Sequence, residues 1–123
     1  MAFHFIVMKI TKVKENRDFR RAYNRAKSYV GPFVIIYIMN NRNNGIRLGI
    51  TAGKKIGKAV SRNRAKRVIT AAFRECLPLI DGNLDFIIVA RQRILTAKST
   101  EVATAMMKLL KTANVLKSGE ESE

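Results

Sequence analysis

Phe33-Val-Ile-Ile-Tyr-Ile-Met39, Asn40-Asn-Arg-Asn-Asn-Gly45 and Ile46-Arg-Leu-Gly-Ile-Thr-Ala52 follow one another near the middle of the chain, and how they are read decides the fold. The first run is β-branched and aromatic, which suits a pleated, half-buried surface, so it reads as a strand. The Asn-rich stretch is a turn, with Asn44-Gly45 supplying residues that accept positive φ. The third run alternates apolar with small or polar residues, the pattern of a strand with one face in a core. Antiparallel pairing across the turn is expected, giving a hairpin.

Downstream, a helix is expected from about Ala59 or Arg62 to Leu77, stopping before Pro78. At helical spacing Ala65, Val68, Ile69, Ala72, Phe73 and Cys76 gather on one side and Asn63, Lys66, Arg67 and Arg74 on the other, so the wet face is strongly basic. Asp81-Gly82 makes a turn, and Asp85 to Ala90 is a buried strand that runs into Arg91 and Arg93. Ser99 or Thr100 is expected to cap a last helix that pairs Val102, Ala105, Met106, Leu109 and Leu110.

Upstream, Gly31-Pro32 breaks a helix expected over about residues 17–28, N-capped by Asn16 and carrying Asp18 in its first turn. Phe19 and Tyr23 lie at i and i+4 on one face of it. Residues 5–10 read equally as an edge strand or an ordered arm. The expected order is helix, strand, strand, helix, strand, helix: an α+β two-layer sandwich of a mainly antiparallel sheet packed with about three helices. Residues 1–117 form one domain in this reading and residues 118–123 a disordered acidic tail. The strand–helix–strand unit over residues 46–90 crosses over, with its hand left open.

Charge narrows the function. The 123 residues hold 24 Lys and Arg against 9 Asp and Glu, a formal net charge of +15, which calls for a polyanionic partner. There is no spanning apolar stretch of about 20 residues and no helix face rich in Trp, Phe or Leu beneath the basic one, so a membrane is not the expected partner. The opening residues make a poor signal peptide, and a cytoplasmic location is expected. The lone Cys76 excludes an internal disulfide and reads as a small core residue.

The basic charge is concentrated in Lys54-Lys-Ile-Gly-Lys-Ala-Val-Ser-Arg-Asn-Arg-Ala-Lys-Arg67, where Lys54, Lys55, Lys58, Arg62, Arg64, Lys66 and Arg67 stand with no acidic residue among them. A helix face that is merely solvated is the commoner fate of a charge run, but here seven like charges repel unless phosphates neutralise them. Arg forks to phosphate or a base edge, Asn donates and accepts to a base or ribose hydroxyl, and Gly57 lets a backbone come close. His4 stands alone, and no His, Asp and Glu set has the spacing of a triad or metal site. Asp81 and Asp85 flank one turn, where aspartates are more often caps than magnesium ligands.

That basic run, followed by Phe73-Arg74-Glu75, resembles the signature of the bacterial ribonuclease P protein family, with Arg62-Asn63-Arg64 at its core. The resemblance extends to Asp18-Phe19 with Tyr23, to Phe33–Tyr37 and to Asp85–Arg91, and spans roughly residues 11–112. Ala65 departs from it, since the family more often has a larger aliphatic residue there; Tyr23 departs where the family often has Phe.

The resemblance implies a ribosomal protein S5 domain 2-like fold and a division of labour. A catalytic RNA, ribonuclease P RNA, with its bound Mg2+ cleaves precursor tRNA to leave the mature 5′ end, and the protein has no catalytic residue of its own. Lys54, Lys55, Lys58, Arg62, Asn63, Arg64, Lys66, Arg67 and Arg74 are the implied RNA-binding residues. Phe19, Tyr23, Tyr37 and Arg91 are the implied contacts to the single-stranded 5′ leader of precursor tRNA, in a cleft between the first helix and the sheet.

Without the resemblance, the aromatics read as ordinary core: Phe33, Tyr37 and Met39 are expected to share one strand face. The main rival is a structural rRNA-binding ribosomal protein, which would carry the same charge and build but needs no aromatic cleft. A metal-dependent nuclease would act without RNA and depend on Asp81 or Asp85. A DNA-binding helix-turn-helix does not fit a basic helix flanked by strands.

Overall fold

A computed structural model describes residues 11–12, 20, 23–42 and 45–117. Five strands and two long helices follow in the order β1 (Thr11–Lys12), β2 (Lys27–Val30), β3 (Val34–Asn40), β4 (Ile46–Thr51), α1 (Ala59–Cys76), β5 (Leu84–Ala90) and α2 (Ser99–Ala113). Short 3-10 turns at Lys54–Ile56, Leu77–Leu79 and Gln92–Thr96 link them. The class is the expected α+β, with helices layered on a sheet of order β1-β4-β5-β3-β2.

The expected hairpin does not form. β5 lies between β3 and β4, antiparallel to β3 and parallel to β4, while β2 pairs antiparallel with β3 and β1 parallel with β4. Composition explains the insertion. Leu84-Asp-Phe-Ile-Ile-Val-Ala90 is buried along nearly its whole length, and a strand that apolar gains most from the central position, where neighbours cover both edges.

The turn that was expected to close the hairpin instead receives the start of β5. Asn41 N–H donates to Asn83 O (3.2 Å), Leu84 N–H donates to Gly45 O (3.1 Å), and Gly45 N–H donates to Asn83 Oδ1 (3.1 Å). Gly45 adopts the anticipated positive φ of 69°, joined by Arg42 at 67°; Asn44 lies outside the described residues.

The first expected helix ends earlier than its sequence reading. Residues 23–25 are helical, but Lys27–Val30 are extended and pair with Ile35–Ile38 of β3. Tyr29 and Val30 suit a strand, and Gly31-Pro32 then ends it instead of ending a helix. Asn16, Asp18 and Phe19, residues 5–10 and the tail at 118–123 all lie outside the described residues.

Helix α1 follows its sequence reading closely. Ala65, Ile69, Ala72, Phe73 and Cys76 are buried, and Pro78 falls in the 3-10 turn just beyond the helix. They meet Val34, Ile36, Leu48, Phe86 and Ile88 from the sheet and Val102, Met106 and Leu110 from α2 in one core, with the Phe73 and Phe86 rings edge-on at 5.2 Å. Each large side chain fully buried there contributes about 1.5–3 kcal/mol against exposure.

Helix α2 begins at Ser99, so Lys98, not Ser99 or Thr100, is the capping position. The Glu101 carboxylate accepts the Lys98 N–H at 2.8 Å and satisfies a donor that the helix leaves over. Asn114 closes the helix in the left-handed conformation, φ 60°.

Candidate nucleic-acid interface

The basic run is built as a turn followed by a helix. Ile56, buried in the core, pins the Lys54–Ile56 turn, which leaves Lys54, Lys55 and Lys58 exposed around it. Gly57 continues the chain at φ 128°, a conformation that disfavours any side chain. The Arg62 Nε–H donates to Gly57 O at 3.0 Å, so this half-buried arginine braces the turn from the first turns of α1. Asn63, Arg64, Lys66, Arg67 and Arg74 are exposed along the helix, as its periodicity requires.

Parallel pairing of β4 and β5 adds charge that sequence periodicity did not assign to the site. Thr51 is opposite Val89, so both strands finish at one end of the sheet, and the turns that follow them, Lys54–Ile56 and Gln92–Thr96, are neighbours. Arg64 Nη1–H donates to Leu95 O at 3.3 Å and ties α1 to the second turn. Arg91 and Arg93 are exposed at this end, so they stand with Lys54, Lys55, Lys58 and Arg64 on one cationic border. Arg93 was not assigned to the site in the sequence reading because no local pattern tells that the turn after β5 lies beside the turn after β4.

The other face of the sheet carries the aromatics. Tyr37 is half-buried and packs with Ile87 and Ala26, apart from the main core. Tyr23 is 42% exposed; its ring meets the Tyr37 ring edge-on at 5.0 Å, and its hydroxyl lies 3.3 Å from Thr51 Oγ1. Gly49 is level with Ile87 in register, so no side chain rises from β4 on the far side of Ile87 from Tyr37. Phe33 does not share this face, since the strand begins one residue later: it packs against the main core, with Arg93 5.9 Å from its ring centroid.

Arg91 stands at the rim. Its N–H donates to Phe33 O at 2.9 Å and its Nη1–H to Gly31 O at 2.8 Å. Ile87 is opposite Tyr37, and four strand residues further on Arg91 lies about 13 Å from that row. Tyr23, Tyr37 and Arg91 therefore share one side of the sheet, while Phe19 lies outside the described residues.

Asp85 belongs to a different arrangement, which sequence spacing gave no means of seeing. Arg47 forks onto it, Nε–H to Oδ1 and Nη2–H to Oδ2, both at 2.7 Å, and Asn41 Nδ2–H donates to Oδ1 at 2.7 Å. With both oxygens engaged by a guanidinium and an amide, this carboxylate does not fit as a magnesium ligand. Among the described residues no three His, Cys, Asp or Glu side chains gather as a metal site would require, and no helix is long and apolar enough to cross a membrane.

Fold and surface together define a class: a small α+β domain with a cluster of cations at one end of its sheet, beside a half-open aromatic face. Comparison with known proteins gives the particular family. The family model described as Ribonuclease P matches residues 7–114, and the chain belongs to the ribonuclease P protein family. It is 37% identical over 109 residues to the ribonuclease P protein component of Alkaliphilus oremlandii, an alignment covering 89% of this chain and 96% of that one.

Solved structures agree. The ribonuclease P protein of Staphylococcus aureus superposes with a TM-score of 0.77 at 33% identity, over 89% of this chain and all of that one. That of Thermotoga maritima does so with a TM-score of 0.74 at 26% identity, over 82% of this chain and 96% of the other.

Proposed function

We propose that this protein serves as the subunit that binds ribonuclease P RNA and holds the 5′ leader of precursor tRNA, promoting endonucleolytic maturation of the tRNA 5′ end. The observation that carries this is the adjacency of two unlike surfaces: a cationic border from Lys54 through α1 to Arg91, and an aromatic face at Tyr23 and Tyr37. The first suits phosphates of a folded RNA, since each Lys or Arg that meets one releases counterions. The second suits unpaired bases, which stack at about 1–3 kcal/mol each.

Catalysis belongs to the RNA in this reading. The protein residues bind and orient, and Mg2+ enters on the phosphates of the catalytic RNA and the substrate. A purely structural rRNA binder would share the cationic border, but it would have no use for a half-exposed tyrosine pair.

Binding measurements on single variants separate the two surfaces. Arg67→Ala and Arg64→Ala weaken binding to the catalytic RNA and lower its log–log salt slope by close to one each. Tyr37→Ala and Tyr23→Ala mainly weaken binding of precursor tRNA, by fivefold or more for a lost stack of about 1 kcal/mol. Equal effects of both pairs on both affinities would contradict the two-surface reading.

A further inference from the structure

A groove of about 490 Å³ opens between α2 and the bend that joins β2 to β3. Phe33 and Val30 line one wall and Leu109 the other, with Glu101 and Lys108 on the helix rim. The walls are held close by Gly31: a Cβ there would come within 2.9 Å of Leu109 Cδ1. The groove is therefore preformed, and it leaves apolar surface open, Val30 being 62% exposed.

Its surroundings are cationic. Lys108 is exposed on the rim, Arg93 lies 5.9 Å from the Phe33 ring centroid, and Arg91 donates to Gly31 O. The carboxylate on the rim, Glu101, accepts the Lys98 N–H at the start of α2. Arg91 links the groove to the Tyr37 side of the sheet, since its Nη1–H donates to the carbonyl oxygen of Gly31, a lining residue. A ligand matching these features has a flat apolar part and a negative charge, and reaches the groove past Arg91.

We infer that the groove is a second seat for a nucleotide of single-stranded RNA, with its base against Phe33 and Val30 and its phosphate toward Lys108 and the Arg91–Arg93 turn. This rests on the reading that a single-stranded leader follows the Tyr37 face. A base seated on an aromatic side chain is worth about 1–3 kcal/mol, so the seat raises affinity at least about fivefold for a strand long enough to occupy it.

The test uses the full chain and a fluorescent single-stranded RNA oligonucleotide carrying 4-thiouridine. Lys108→Glu, on an exposed helix position far from the tyrosine pair, lowers oligonucleotide affinity and reduces the salt slope by about 0.7, while binding to the catalytic RNA is unchanged. Thr104→Lys, which adds a cation on the same rim, raises affinity. Near-ultraviolet crosslinking labels the peptide containing residues 30–33 in the parent and loses that label in Lys108→Glu.

Unchanged affinity and slope in Lys108→Glu, with no label at residues 30–33, overturns the proposal. So does a concentration-dependent dimer in sedimentation that Lys108→Glu abolishes, which would make the groove an interface between copies. Cleavage assays separate this from the parent reading: a benefit of longer leaders that survives Lys108→Glu but vanishes in Tyr37→Ala removes the groove and keeps the leader path. Oligonucleotide binding that responds to Lys108→Glu and not to Tyr37→Ala keeps the groove and removes the path.

Discussion

Arg47 and Asp85 sit on neighbouring parallel strands and meet through a two-pronged contact that Asn41 supports from the β3–β4 turn. Asp85 is 5% exposed, so a carboxylate stripped of its guanidinium would stay buried. Arg47→Met should therefore destabilise the fold by roughly 2–4 kcal/mol, read as a lower urea midpoint at unchanged m-value. A loss of under about 1 kcal/mol would show the pair to behave like a surface one.

Cys76 offers a pH-dependent check. Burial, reinforced by the charge of Glu75, pushes its thiol up from 9.0 to about 11. The unfolded chain releases that proton first, so this contribution to stability is whole below pH 9 and is lost as the pH rises toward 11. Cys76→Ala should lose stability less steeply than the parent across that window; identical slopes in urea titrations would contradict it.

The legibility of these residues differs for a physical reason. Surface charge at Lys54–Arg67 is visible in sequence because exposure follows from helical spacing alone. The Arg47–Asp85–Asn41 set and the recruitment of Arg93 depend on which strands are neighbours, and no local pattern encodes that.

Helix α1 shows what periodicity specifies well. Its apolar positions recur over 18 residues, its end is marked by Pro78, and its buried and exposed faces match the spacing, Val68 alone among the expected core residues being half-buried. The β3–β4 connection shows what periodicity leaves open. Both runs are strands with a competent turn between them, yet the more apolar β5 takes the place between them, and the hairpin is lost to pairing with residues 44 or more positions away, Asn40 opposite Leu84 being the nearest in sequence. The Lys27–Val30 segment was misread for a similar reason, since its helical neighbours masked a strand stabilised by pairing with β3.

Ala65 tests how tightly α1 is seated. Its side chain is fully buried, so Ala65→Leu adds volume with no space to receive it and should cost about 1–3 kcal/mol, seen as a lower thermal midpoint. Because residue 65 faces the core, catalytic-RNA affinity of the folded variant should be unchanged. A more stable variant would mean the helix stands off the sheet far enough to admit a larger aliphatic residue.

Across the molecule, the excess of positive charge is sorted by the topology. Parallel β4 and β5 deliver two basic turns to one end of the sheet, α1 extends that surface, and the opposite face of the sheet is left to Tyr37 and Tyr23. The topology thus sets a cationic border and an aromatic face side by side on one small domain. The direct measurement is cleavage of a precursor tRNA at low magnesium by this protein alone, by a bacterial ribonuclease P RNA alone, and by the two together. Efficient cleavage by the mixture only is the predicted result; a mixture no better than the RNA alone, or cleavage by the protein alone, would contradict the assignment.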